Sequence, residues 1–326
     1  MGSLQELSIR LSTLAVFREL QEDAVINSLR KYLTEPSPAL YASFVSALYR
    51  ANGGILGAYV REICENSENV YVQAVGKKEE IPAYLREAVL EELKTLQMTA
   101  ELTPETLRSA MEYRGFLPGF VSEAPDIKAC YTERIENIGK YGYGIYAKNR
   151  MFYLGENAEI VPVSNPDKTE LSDLVDYARE RQIIIDNTKA LLEGKPAANI
   201  LLTGDAGTGK SSTVKAVVNA LWREGLRIIE VRKDQLQSIP KILDELSANP
   251  LKFILFIDDL SFLKDDDNFN ALKAVLRRSR RTWQSTRRVI AAISSRRSSP
   301  TVRAMTFTAT IRCRSLHRFP SASAST

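Results

Sequence analysis

The stretch Gly204-Asp205-Ala206-Gly207-Thr208-Gly209-Lys210-Ser211 decides the fold of this chain. It fits the pattern G-x-x-x-x-G-K-[ST], which carries weight only between a strand and a helix. Both flanks are present: residues 200–203 are a short apolar strand and residues 211–223 read as a helix. The glycines let the backbone curl so that successive N–H groups face an anion. The helix N-terminus beside them adds its dipole. The pattern therefore predicts a loop that cradles the phosphates of ATP through Gly204, Asp205, Ala206, Gly207, Thr208, Gly209, Lys210, Ser211 and Ser212. Lys210 is expected to reach the β- and γ-phosphates as a catalytic group, and the Ser211 hydroxyl to ligate Mg²⁺. A chance glycine-rich turn is the bland alternative, and eight matching positions with correct flanks weigh against it.

Outward from the loop, strand and helix alternate. Residues 226–231 are β-rich, residues 239–248 helical, and residues 253–257 a fully apolar strand. Such alternation predicts a parallel sheet covered on both faces. The last of these strands runs into Asp258-Asp259. In that position Asp258 is expected to hold Mg²⁺ through water. The bland reading is a solvated acidic turn, helped by Asp265-Asp266-Asp267 nearby. Downstream of a phosphate loop, the functional reading is the stronger.

The remainder of the chain has a different texture. At 326 residues the chain suggests two domains. Residues 1–138 read mainly as helices: Leu4, Leu7, Leu11 and Leu14 recur at helical spacing, and Pro36 and Pro38 precede a helix over 40–50. Residues 78–96 and 103–113 are further helices, the latter opened by Thr103 as cap and Pro104 at the first helical position. Residues 141–163 read as short strands, and the turn Ser164-Asn165-Pro166-Asp167 is the expected domain boundary. Residues 171–192 read as one helix. The expected organisation is thus a mainly helical region over 1–165, with short strands near 141–163, followed by the phosphate-loop core over 166–276.

Three widely spaced cysteines and a single histidine give no metal-ligand spacing, and reduced thiols are expected. No apolar run is long enough for a membrane helix, and the N-terminal residues lack a signal-peptide core. Cytoplasm without a membrane is the resulting expectation. The net charge of +4, from 44 basic and 40 acidic residues, misleads. Residues 277–326 hold twelve arginines and no acid, so residues 1–276 carry 32 basic against 40 acidic groups, a net of −8.

Several segments together resemble a bacterial family of AAA+-like ATPases labelled a domain of unknown function. They are Asn187-Thr188, Asn199-Ile200-Leu201-Leu202, Gly207 to Lys215, and Phe253 to Phe262 with Leu272 to Leu276. The resemblance covers at least residues 140–276. It implies an α/β parallel-sheet P-loop NTPase core, AAA+-like and incomplete, behind a helical leader. Such proteins usually carry Glu where this chain has Asp259, a base shorter by one methylene. After Leu276 the likeness stops. If the codons there are read one base out of register, Trp283 to Ser295 admits AIYATSNRRHIV and Pro300 to Phe307 admits DREGDDIH. Both strings occur in that order in the family. Residues 277–326 are therefore expected to be an out-of-frame, disordered basic tail. The polar sensor strand, the fifth strand, the lid and an arginine finger are expected to be missing. Only the run Val289-Ile290-Ala291-Ala292-Ile293 is apolar and β-prone enough to imitate the sensor strand between the two motif strands.

The functional expectation is an ATP-driven conformational machine with Mg²⁺, acting on an unknown protein client and, by resemblance, a homo-oligomer. The runner-up is a nucleotide-dependent loading module of the helicase-loader kind. Once the tail is discounted, the −8 balance argues against broad nucleic-acid contact. A third reading concerns the chain as given, a product that binds nucleotide poorly or fails to fold.

Overall fold

The computed structural model describes residues 3–205, 207–258, 289–295 and 309–313. It divides into two compact units, Met1–Lys148 and Asn149–Thr326.

The first unit is all helical. It runs α1 (Ser3–Ser12), α2 (Ala24–Thr34), α3 (Pro38–Asn52), α4 (Leu56–Asn66), α5 (Val70–Lys77) and α6 (Ala83–Ala100). It ends with α7 (Pro104–Arg108), α8 (Ile127–Glu136), α9 (Ile138–Tyr141) and α10 (Ile145–Lys148). Local chemistry sets these starts. Asp23 accepts the N–H groups of Val25 and Ile26 at α2, Ser37 caps α3 with Pro38 behind it, and Thr103 accepts Thr106 N–H at α7. Each such cap is worth about 1 kcal/mol. The apolar stripes of α1, α2, α3, α4 and α6 meet in one core around Leu11, Phe17, Tyr32, Phe44, Val60 and Leu96. Glu92 ties the strand-free turn after α1 to α6, its carboxylate accepting the N–H groups of Ala15, Val16 and Phe17 at 2.8–3.1 Å.

Three readings of this region are corrected, the first being the helix over 103–113, which ends at Arg108. Residues 78–96 are not one helix: Lys78 closes α5 in the left-handed region at φ 62°, and Pro82 opens α6. The residue before a proline is pushed out of the helical region, which fixes the break. Residues 141–146 are not strands but belong to α9 and α10. Gly142 at φ 69° and Gly144 at φ 57° separate these turns, and Tyr143 is buried against Val72 and Ile138. The periodicity of closely spaced tyrosines imitated a strand because the turns are too short to show a helical period.

The second unit is a seven-stranded sheet with helices α11 (Ala178–Leu192), α12 (Lys210–Leu221) and α13 (Ile239–Ser247). Its strands are β1 (Met151–Leu154), β2 (Ile160–Pro162), β3 (Ile200–Gly204) and β4 (Leu226–Glu230), then β5 (Lys252–Ile257), β6 (Val289–Ser295) and β7 (Ala309–Cys313). The order across the sheet is β2-β1-β4-β5-β6-β3-β7. Only the β1–β2 edge is antiparallel, and every other neighbour is parallel. The fold is therefore the expected mostly parallel α/β sheet. Phe253, Ile254, Leu255, Phe256 and Ile257 are all 1% exposed or less, as a strand covered on both faces requires. Truncating one of them to alanine costs about 2–5 kcal/mol.

The boundary lies earlier than expected. Residues 149–165 belong to the sheet, because β1 pairs with β4 from Met151↔Ile228 to Tyr153↔Glu230. The expected helix over 171–192 is a 3₁₀ turn, Leu171–Asp173, followed by α11. Asp176 and Tyr177 between them lie at φ 67° and 54°, which no helix continues through.

Of residues 277–326 only 289–295 and 309–313 are described, so the expected disordered tail otherwise lies outside the described residues. β6 does occupy the slot between β5 and β3, with Ile254↔Ile290 on one side and Ile200↔Ala292 on the other. Asn199 Oδ1 accepts Ala291 N–H at 3.0 Å and fixes the entry of β6. A fifth strand expected to be missing is also present: β7 pairs with β3 from Ile200↔Ala309 to Gly204↔Cys313. An unpaired edge on β3 leaves a row of backbone donors and acceptors open, and a short β-prone segment satisfies it whatever its origin.

Candidate functional site

The loop between β3 and α12 is shaped by its glycines. Gly207 and Gly209 lie at φ 77° and 74°, and a Cβ at either would meet nothing within 4 Å. Glycine is needed there for backbone conformation rather than for room. Thr208 Oγ1 donates to Asp205 O at 2.9 Å and closes the turn. Thr213 Oγ1 donates to Gly209 O at 2.8 Å at the first turn of α12.

Lys210 is 8% exposed, the first residue of α12 and the most deeply covered cation of the loop. Its Nζ donates to Gly204 O at 3.0 Å and Asp205 O at 2.7 Å, with Thr208 Oγ1 at 3.4 Å. The ammonium is thus held inside the loop by its own carbonyls. Ser211 Oγ donates to Asp258 Oδ2 at 2.7 Å, joining the helix start to the end of β5 across 47 residues of chain. A hydroxyl and a carboxylate converging on one point are the oxygen donors a hard divalent cation takes. The residues present therefore fit Mg²⁺.

The structure brings Gly204, Asp205, Gly207, Thr208, Gly209, Lys210, Ser211 and Ser212 into one turn, with Asp258 beside it. Ala206 and Asp259 lie outside the described residues. Sequence reading missed the ion pair behind the loop, Lys215 Nζ to Glu230 at 2.7 Å, which joins α12 to the end of β4. It had Asn187 only as part of the resemblance and missed its role, in which the side chain accepts Ala198 N–H at 2.7 Å and donates to Ala198 O at 2.9 Å. That double contact mimics a strand pairing and sets the start of β3. Nor did it anticipate Arg227, 1% exposed inside β4. One of its nitrogens donates to the carbonyls of Trp222 and Leu226, both at 2.8 Å.

Residues 147–300 match the family described as a protein of unknown function, DUF815. The matched segment begins two residues ahead of the second compact unit, and it bears out the resemblance drawn from the loop and β5. It also runs on through β6 to Pro300. No curated protein matches the chain. Among solved structures, the Holliday junction branch migration motor RuvB of Thermotoga maritima aligns at 15% identity and TM-score 0.32, over 44% of this chain and 47% of that one. DnaI aligns at 18% identity and TM-score 0.31, over 44% and 87%. AMPPCP-bound DnaA from Aquifex aeolicus aligns at 19% identity and TM-score 0.33, over 45% and 50%. This chain spans about half the length of the first and third of these.

Proposed function

We propose that this chain binds ATP with Mg²⁺ on residues 204–212 and hydrolyses it. The observation that carries the reading is the convergence of the Lys210 ammonium and the Ser211–Asp258 pair on one glycine-shaped turn. On binding, Lys210 exchanges two carbonyl partners for β- and γ-phosphate oxygens. These are charge-assisted contacts, about twice as strong as neutral ones. Ser211 and Asp258 hold the cation, which when bound supplies positive charge against the phosphates. Asp259 is assigned as the base that orients and deprotonates the attacking water, a role one methylene short of a glutamate's reach. Turnover of ATP by the chain and by its Lys210→Ala form tests this, since hydrolysis undiminished by the change would remove the assignment from this site.

The output assigned to that hydrolysis is movement of a protein client by a cytoplasmic homo-oligomer. Nucleic acid is left out because residues 1–276 are net acidic. We further propose that residues after about 276 are read out of frame. Twelve arginines without one acid, and two family-like strings recovered by the same register offset, support this. The family match through residue 300 pulls the other way. The base sequence around the Leu276 codon decides between them.

A further inference from the structure

At the far end of α12 from the phosphate loop, the second unit carries a groove of about 680 Å³. Three cations line it, Arg150, Lys168 and Arg223, together with Asn219, Ser172 and Trp222. Glu170 is its single acid, so the lining carries a net charge of +2. Asn219 lies nine residues beyond Lys210 on the same helix, roughly 13 Å along its axis, so this groove is separate from the loop.

The groove is built rather than incidental. Asn219 Nδ2 donates to Asp167 O and Thr169 O, both at 2.9 Å, and so pins the segment that forms one wall. Its Oδ1 accepts from Arg150 Nε at 2.6 Å, and Arg150 Nη2 adds a long contact to Asp167 O at 3.4 Å. The Arg150 guanidinium is thereby fixed by two of its N–H groups, and its charge also lies in electrostatic reach of the Asp167 carboxylate. Lys168 and Arg223 are exposed and pair with no acid among the described residues. The Arg223 guanidinium instead lies 5.8 Å from the Trp222 ring, an arrangement that orients its fork without neutralising it. Glu170 is turned to local work, accepting from Ser172 Oγ at 3.4 Å and taking part in the 3₁₀ capping box.

Two planar guanidinium forks and one ammonium are the donors that face the groove, since the Asn219 amide and the Ser172 hydroxyl spend their protons within the wall. A net +2 matches a dianion better than a single carboxylate, and guanidinium forks match phosphate oxygens two at a time. The volume is that of a small-ligand site. We propose that this groove is a second anion site, which takes the phosphate group of a phosphomonoester and is distinct from the loop at the start of α12. Because the proposal does not depend on hydrolysis at the loop, it stands or falls separately from the ATP reading.

The test uses the full chain carrying Lys210→Ala, so that the loop is silenced. Inorganic phosphate, AMP and a single-stranded oligonucleotide are titrated by calorimetry, with and without the added pair Lys168→Gln and Arg223→Gln. Both residues of the pair are exposed and hold no wall in place, so the fold is expected to survive, and circular dichroism checks that it does. Saturable one-to-one binding of phosphate and AMP is expected, weakened about tenfold or more by the pair. In the chain with Lys210 intact, the same pair is expected to leave ATP affinity unchanged. Absent binding of phosphate and AMP, or binding indifferent to the pair, overturns the proposal. So does binding of the oligonucleotide alone with affinity that grows with its length, since that would make the groove a stretch of nucleic-acid track.

Discussion

Asp258→Asn separates the cation from the phosphate contacts. Asparagine keeps the size of the side chain and an oxygen that still accepts from Ser211 Oγ, which lies 2.7 Å from Asp258 Oδ2. What it removes is the negative charge at the end of β5. The Lys210 contacts to Gly204 O and Asp205 O are untouched, so the loop retains its shape. Loss of one charge-assisted contact costs about 1.5–3 kcal/mol, which is about 10- to 150-fold in affinity. Displacement of a fluorescent ATP analogue, followed with Mg²⁺ and again with a chelator, reads this out. The loss is expected in full with Mg²⁺ and to be largely absent in the chelator, where no cation needs the carboxylate. Equal weakening under both conditions would refute the reasoning, because it would make Asp258 a scaffold for the loop. Unchanged affinity with Mg²⁺ would refute it more directly.

Two further outcomes follow from the packing. Asn219→Ala removes three short hydrogen bonds, from Arg150 Nε and to Asp167 O and Thr169 O. At about 1 kcal/mol each the second unit should lose roughly 2–4 kcal/mol in a denaturant titration, and an unshifted midpoint would contradict the described wall. Burial pushes the Tyr32 phenol, hydrogen-bonded to Leu107 O, up to about 12, so the folded state keeps a proton that the unfolded chain releases near pH 10. The stability from this proton is full below about pH 10 and lost as pH rises through the folded value. Burial raises Tyr41, Tyr59 and Tyr131 in the same direction. Chemical unfolding of the first unit at stepped pH should give a fall in stability above pH 10 that is shallower in Tyr32→Phe. An identical slope would count against the burial.

What was legible in the sequence was the part that local rules determine. The glycine spacing of 204–211 needs left-handed φ at Gly207 and Gly209, and the structure has it there. The apolar run of β5 ending in an acid assigned Asp258 and Ser211 to one cation, and the two side chains meet at 2.7 Å. Strand–helix alternation gave a parallel sheet, and the cap at Thr103 with Pro104 gave the start of α7. What was not legible was set by partners distant in sequence. β1 was legible as a short strand but was placed in the first domain, because nothing local reveals that residues 151–153 pair with 228–230. The Arg150–Asn219 contact joins residues 69 apart and leaves no motif. The burial of Arg227 had no signal in the sequence, since a buried guanidinium is read only from the carbonyls of Trp222 and Leu226 around it. The tail illustrates the converse: composition argued for disorder, while the unsatisfied edge of β3 recruited two short β-prone runs.

The account rests on nucleotide being bound by the turn at the head of α12, and Lys210→Ala tests that most directly. Lys210 is almost wholly covered and spends its charge on two loop carbonyls, so its removal deletes the cation without deleting a packing element. Equilibrium binding of ATP with Mg²⁺ should fall by at least the worth of one charge-assisted contact, about tenfold or more, with the circular dichroism spectrum unchanged. ATP bound equally well by the chain and by its Lys210→Ala form would contradict the central claim.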